Sequence, residues 1–135
     1  MIAPYLRDAS GFSGGCAVEV FIPETRAELV DFLRSNRQPI TVAGAGTGLT
    51  ASRIPFGGVI VSLERFKGLG EIEDSSIQAG AAVTLGELQD RLRDTSFFYP
   101  PNPTETNASI GGTIATNASG ARSYKFGATR GYVLE

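Results

Sequence analysis

The residues best suited to chemistry lie in two glycine-rich segments. The first is Ala43-Gly44-Ala45-Gly46-Thr47-Gly48-Leu49-Thr50, directly after the apolar run Ile40-Thr41-Val42. The second opens at Tyr99-Pro100-Pro101-Asn102-Pro103-Thr104. It continues as Ile110-Gly111-Gly112-Thr113-Ile114-Ala115-Thr116-Asn117-Ala118-Ser119-Gly120. Alternating glycines remove side chains and let successive backbone N–H groups turn inward as an anion nest. Two such segments in one small chain predict a long anionic ligand gripped at two places, and a dinucleotide such as FAD fits.

The first loop departs from other phosphate loops. A Rossmann fingerprint requires G-x-G-x-x-G with a helix beginning inside the loop. Gly44 and Gly46 fit, but the last position is Leu49, and Ala51-Ser52-Arg53-Ile54-Pro55-Phe56-Gly57-Gly58 does not read as helix. A Walker A loop ends in Gly-Lys-Ser/Thr, and no lysine is present here. The loop is therefore expected to bind phosphate through backbone donors, without a helix dipole or a lysine. The alternative is a plain tight turn between two strands, since glycine is a usual turn residue.

Other chemistries find little support. The chain has no histidine and one cysteine, Cys16, read as a small residue beside a strand. No metal site is expected. Glu71, Glu73 and Asp74 cluster beside an expected turn and read as solvated surface. Hydroxyls are plentiful, but without a neighbouring base none is an activated nucleophile. Arg122, Tyr124 and Lys125 form a polar patch, read as a solvated segment or as a contact with cofactor or a missing neighbouring subdomain. No catalytic residue is assigned.

Taken together, the motifs resemble the FAD-binding domain of the vanillyl-alcohol oxidase type. The likeness is strongest to glycolate oxidase flavin subunits and to D-lactate or D-2-hydroxyacid dehydrogenases. It rests on Gly44 to Leu49 (G-A-G-T-G-L), Pro100 to Pro103 (P-P-x-P), Ile110 to Gly120 (I-G-G-x-I-A-x-N-A-x-G) and Phe126-Gly127-Ala128-Thr129-Arg130. Tyr5-Leu6-Arg7-Asp8-Ala9-Ser10-Gly11 is similar to the family's opening. The resemblance implies that Gly44, Ala45, Gly46, Thr47, Gly48 and Leu49 hold the pyrophosphate. It implies that Pro101, Gly111, Gly112, Ala115, Asn117 and Gly120 line the flavin or adenosine portion. Thr47 stands where some relatives carry a histidine that tethers FAD, so the cofactor is expected to be non-covalent. Ala51 replaces a glycine common in relatives.

The resemblance also implies an activity. It is the oxidation of a small 2-hydroxy acid of the D-lactate or glycolate class, with FAD receiving the electrons. Relatives commonly use histidine as the base near the flavin, and this chain has none. Relatives also continue through the rest of the FAD domain and a substrate-covering cap domain. The chain is thus expected to be a partial FAD-binding domain, not catalytically complete, whose remainder comes from a missing C-terminal half or a partner subunit. The alternatives are part of a flavin-dependent enolpyruvyl-sugar reductase using NADPH, or a non-catalytic partner-binding domain of the same fold, with exposed edges that could form a homo-oligomer.

Composition sets the frame. At 135 residues a single domain is expected, and 41% hydrophobic with 19% charged residues argues against disorder. A net charge of −2 without a basic cluster argues against nucleic acid. No apolar run approaches the ~20 residues of a membrane span. Met1 to Arg7 lacks a secretory pattern, so a cytoplasmic protein is expected.

The positioning elements follow from pattern. Ala17 to Ile22 is a predicted strand, and Arg26 to Ser35 a helix behind a Thr25/Glu28 capping box, with Leu29, Val30, Phe32 and Leu33 as its apolar face. Ile40 to Ala43 and Val59 to Leu63 are predicted strands. Ile72 and Ser76 to Ala79 suggest a hairpin around Glu73-Asp74-Ser75. A second helix is expected from Leu85 to Arg93 behind a Thr84/Glu87 box, with Leu85, Leu88 and Leu92 on one face. Ile110 and Ile114 are expected to face inward. The fold class is α+β. A βαβ-type first subdomain is expected over about residues 1–98, and the beginning of a second, mainly antiparallel one over about 99–135. Tyr132-Val133-Leu134-Glu135 reads as the start of a strand.

Overall fold

The computed structural model describes residues 2–134. The chain divides into two compact units, Met1–Phe66 and Lys67–Glu135. The Pro100–Pro103 stretch, where the sequence suggests a break, lies inside the second unit. The architecture is α+β, with a parallel sheet in the first unit and an antiparallel hairpin in the second.

The first unit runs β1 (Glu19–Phe21), α1 (Arg26–Ser35), β2 (Ile40–Ala43) and β3 (Val59–Ser62). The strand order is β1-β3-β2, all parallel, with Val20 and Thr41 both in register with Ile60. The central strand β3 is buried along its whole length, as a parallel strand with two neighbours should be. Sequence placed β1 over Ala17 to Ile22. It is shorter, and beside it Cys16 forms only an isolated bridge to Phe56.

Helix α1 has the predicted bounds. Thr25 Oγ1 accepts from the Glu28 N–H at 3.1 Å, but the Glu28 carboxylate accepts from the Glu24 N–H at 2.8 Å and not from the cap residue. Only half of the expected capping box forms. Phe32 stacks on Phe21 of β1 with ring centroids 4.3 Å apart. Leu33, assigned by sequence to the apolar face, is exposed, while Leu29 and Phe32 are half-buried.

The second unit begins with β4 (Leu69–Glu73) and β5 (Ser76–Ala79). Asp74 and Ser75 join them with φ of +46° and +65°. Two consecutive positive φ values are what a type I′ hairpin turn requires. Helix α2 (Leu85–Leu92) starts at a complete capping box. Its Leu85, Leu88 and Leu92 form the unit's core with Val83, Ala108 and Ile110, and the hairpin's Leu69, Ile72 and Ile77 pack on it.

The capping box makes a pH prediction. The Glu87 carboxylate accepts from the Thr84 N–H at 2.7 Å and the Thr84 hydroxyl at 3.0 Å. These bonds, the backbone one foremost, hold its carboxyl below the ordinary glutamate range. A lowered folded-state value means stability fully present above the unfolded value and lost as pH falls through the folded one. Urea midpoints measured between about pH 6 and pH 3 should therefore fall on acidification, and Glu87→Gln should flatten part of that slope. An identical slope in the variant would remove Glu87 from the acid response.

The residues after Tyr99 depart from expectation. In place of antiparallel strands they form α3 (Ile110–Ala115), α4 (Ser123–Phe126) and a 3-10 turn at Thr129–Tyr132. Among the described residues no strand lies beyond Ala79, and Ser109 meets Thr84 only through an isolated antiparallel bridge. Ser109 caps α3 by accepting from the Gly112 N–H, so the I-G-G-T-I-A segment closes on itself as helix. Val133 is extended, and Glu135 lies outside the described residues. Among the described residues no helix is long and apolar enough to cross a membrane.

Candidate functional site

The first glycine loop leaves β2 at Ala43, which is 1% exposed and pairs with Ser62 of β3. That anchor fixes where the loop begins. Gly46 has φ +77°, a left-handed conformation that side-chain-bearing residues rarely adopt. Ala51 is also left-handed at φ +56°, so a glycine there would relieve strain.

The hydrogen bonds that hold this loop run through its carbonyls. The Ala9 N–H donates to Gly46 O at 2.9 Å. Arg53 Nη1 donates to Gly44 O at 2.7 Å, and Nη2 to Pro4 O at 2.8 Å. Among the described residues, no hydrogen bond engages an N–H of Gly44 through Leu49. The loop therefore presents a row of donors with no partner among the described residues. This matches the chemistry of a pyrophosphate, whose oxygens accept several backbone N–H bonds at once.

Arg53 is the residue that sequence reasoning missed. The loop was expected to act through backbone donors without a lysine, and a guanidinium lies against it. A Cβ built on Gly46 would stand 2.6 Å from Arg53 Nη1 and 2.8 Å from Cζ. Arg53 Cζ sits 5.9 Å from the centre of the Tyr5 ring. The Tyr5 hydroxyl donates to Glu64 Oε2 at 2.6 Å. Burial, and next the bond to Glu64, push the phenol above its ordinary value, while Ser62 and Arg53 oppose the shift. Among the described residues, Arg53 Nε and Asp8 Oδ2 are buried without a partner. The only sequence signal was a lone arginine in a non-helical stretch after the loop.

The second glycine segment is built differently. Its N–H groups are engaged within the second unit. That of Ile110 donates to Val83 O at 2.7 Å, Gly111 to Ala81 O at 2.9 Å and Gly112 to Ser109 Oγ at 3.3 Å. The expected nest is therefore absent here, because the N–H groups build a helix and its attachments. The glycines serve close packing instead. A Cβ on Gly111 would meet Ala81 at 3.0 Å, and one on Gly120 would meet Asn102 O at 2.1 Å. Pro101 is fully buried and has no surface for a cofactor.

Asn117, at φ +48°, accepts from the Arg130 N–H through Oδ1 at 2.9 Å, tying the Thr129-Arg130 motif to the segment. Ala115 is exposed, and so is Ile114, which sequence had facing inward. Of the polar patch, Tyr124 is fully exposed, Arg122 lies over Phe98 at 5.7 Å and Lys125 over Phe126 at 5.0 Å. A cavity of about 440 Å³ in this unit is lined by Arg93, Phe97, Phe98, Asn102 and Arg122, among others. It includes neither glycine run.

The FAD binding domain family matches residues 18–135. The chain belongs to that family, and FAD is its cofactor. A D-lactate dehydrogenase of Anaerostipes hadrus is 35% identical over 96% of this chain and 29% of its own length. The glycolate oxidase subunit GlcD of Bacillus subtilis is 30% identical over 80% of this chain and 24% of its own length. A UDP-N-acetylenolpyruvoylglucosamine reductase of Gloeobacter violaceus is 28% identical over 89% of this chain and 41% of its own length. The chain thus spans less than half the length of each of these relatives.

Proposed function

We propose that this chain is the FAD-binding portion of a flavin-dependent oxidoreductase acting on a small 2-hydroxy acid of the D-lactate or glycolate class. The observation that carries this reading is the row of unengaged N–H groups from Gly44 to Leu49, held open by bonds to the loop's carbonyls. The loop is proposed to grip the pyrophosphate of FAD non-covalently, Thr47 offering a hydroxyl but no tethering side chain. Bound FAD supplies the two-electron acceptor chemistry. The chain's own part is binding and orientation. The remainder of the FAD domain and a substrate-covering domain are proposed to come from sequence outside residues 1–135 or from a partner subunit. The exposed Ala115 is proposed to meet the cofactor through its methyl surface. So are Gly111, Gly112, Asn117 and Gly120, through small surfaces and not N–H donation.

The names of the D-lactate dehydrogenase and GlcD relatives support the substrate class. A second reading, an enolpyruvyl-sugar reductase, is favoured by the Gloeobacter violaceus relative. The Pro100–Pro103 and Asn117–Gly120 motifs weigh toward the first.

The test is the visible spectrum of the purified chain, followed by FAD titration. A flavin spectrum that survives desalting and passes into the filtrate on denaturation is expected. Anaerobic D-lactate or glycolate should leave that flavin oxidised, since the chain contains no histidine base. No saturable binding would overturn the FAD site. Bleaching by D-lactate would overturn the catalytic incompleteness, and bleaching by NADPH alone would select the reductase.

A further inference from the structure

We propose that Arg53 is a positioning residue that holds the first glycine loop in its anion-binding form and couples that form to the N-terminal segment. The inference rests on the FAD reading for its ligand but on the first unit's geometry for its mechanism. A guanidinium is a rigid planar fork that can satisfy two acceptors at once. Here the fork joins carbonyls far apart in sequence, Gly44 O at 2.7 Å and Pro4 O at 2.8 Å. The Ala9 N–H takes the other fixed carbonyl of the loop, Gly46 O, at 2.9 Å. Alternate carbonyls of the loop are thus held by groups of its own unit, and the N–H groups are what remains for a ligand.

Arg53 also explains Gly46 a second time. The guanidinium fills the space that any Cβ there would occupy, 2.6 Å from Nη1 and 3.2 Å from Nε. Its Nε is buried with no acceptor. The full positive charge of the guanidinium beside the loop is the complement of an anion. Arg53 also spans to the Tyr5 ring. The loop and residues Pro4 to Ala9 should therefore order together. Lysine carries the charge but not the fork, so Arg53→Lys separates the two contributions.

The experiment compares wild type, Arg53→Met and Arg53→Lys by two readouts. These are FAD affinity by fluorescence titration, and amide hydrogen exchange at Ala9 without FAD. Arg53→Met should weaken FAD by about tenfold or more, the scale of one lost charge-assisted hydrogen bond, and speed exchange at Ala9 by a similar factor. Exchange at Leu85, whose N–H donates to Ala108 O in the other unit, should not change. Arg53→Lys should recover part of the FAD affinity while Ala9 stays fast. Wild-type affinity and wild-type Ala9 protection in Arg53→Met would overturn the proposal. If Leu85 also loses protection, the variant has unfolded and Arg53→Lys decides by the same two criteria. A wild-type chain that takes up no FAD would sink the cofactor reading alone, and the Ala9 comparison would still decide whether Arg53 holds the loop.

Discussion

Gly46→Val should abolish saturable FAD binding. Three effects act at one position. A β-branched residue at φ +77° is strained by at least about 1–2 kcal/mol. Its Cβ would lie 2.6 Å from Arg53 Nη1, so the guanidinium that donates to the carbonyl of Gly44 must shift. The branched side chain would then occupy the concavity that the backbone donors line. Together these predict a loss of at least about a hundredfold, roughly the effect of two charge-assisted hydrogen bonds. Gly131→Ala, outside the loop, is the control. No atom would lie within 4 Å of its Cβ, so no neighbour need move. Titration of both variants by flavin fluorescence makes the measurement. If Gly46→Val bound FAD with wild-type affinity, the pyrophosphate would have to sit elsewhere.

Gly120→Ala should unfold or severely loosen the second unit, whether or not FAD is present. The added Cβ would lie 2.1 Å from Asn102 O, 2.7 Å from Asn102 C and 2.8 Å from Pro103 Cα. All three are main-chain atoms, so no side-chain rotation relieves the overlap. The displaced Asn102 also accepts from Gln89 of α2 at 2.9 Å, which carries the disturbance to the core helix. Overpacking typically costs about 1–3 kcal/mol, and a main-chain overlap belongs at or above the upper end. Against a domain stability of about 5–15 kcal/mol the loss is large. Urea unfolding with hydrogen exchange at Leu88 reads it directly. A variant of wild-type stability that fails only to bind FAD would make Gly120 a cofactor residue first and a packing residue second.

The elements around the first loop were legible because local chemistry decides them. Thr25 and Thr84 mark helix starts by supplying an acceptor to orphan N–H groups. The β-branched run Val59-Ile60-Val61 reads as a strand in any context that buries it. The second glycine segment was not legible as helix. Six residues containing two glycines have poor helix propensity, and α3 persists because Ser109 caps it and the carbonyls of Val83 and Ala81 hold its first N–H groups. Those partners lie more than twenty residues earlier, beyond the reach of any local pattern.

What the sequence determined by itself was the family, the cofactor and the place of the first loop, since the order and spacing of Gly44–Leu49, Ile110–Gly120 and Thr129–Arg130 are conditions on the chain alone. What only the tertiary structure decided is how each glycine is used. The carbonyls of Gly44 and Gly46 are held by Arg53 and Ala9, and among the described residues the N–H groups of Gly44 to Leu49 stay unengaged. Gly111 and Gly120 are small because Ala81, Asn102 and Pro103 press against them. A glycine carries no side chain to announce its role, so its purpose is written in the atoms around it, and folding alone brings those atoms there.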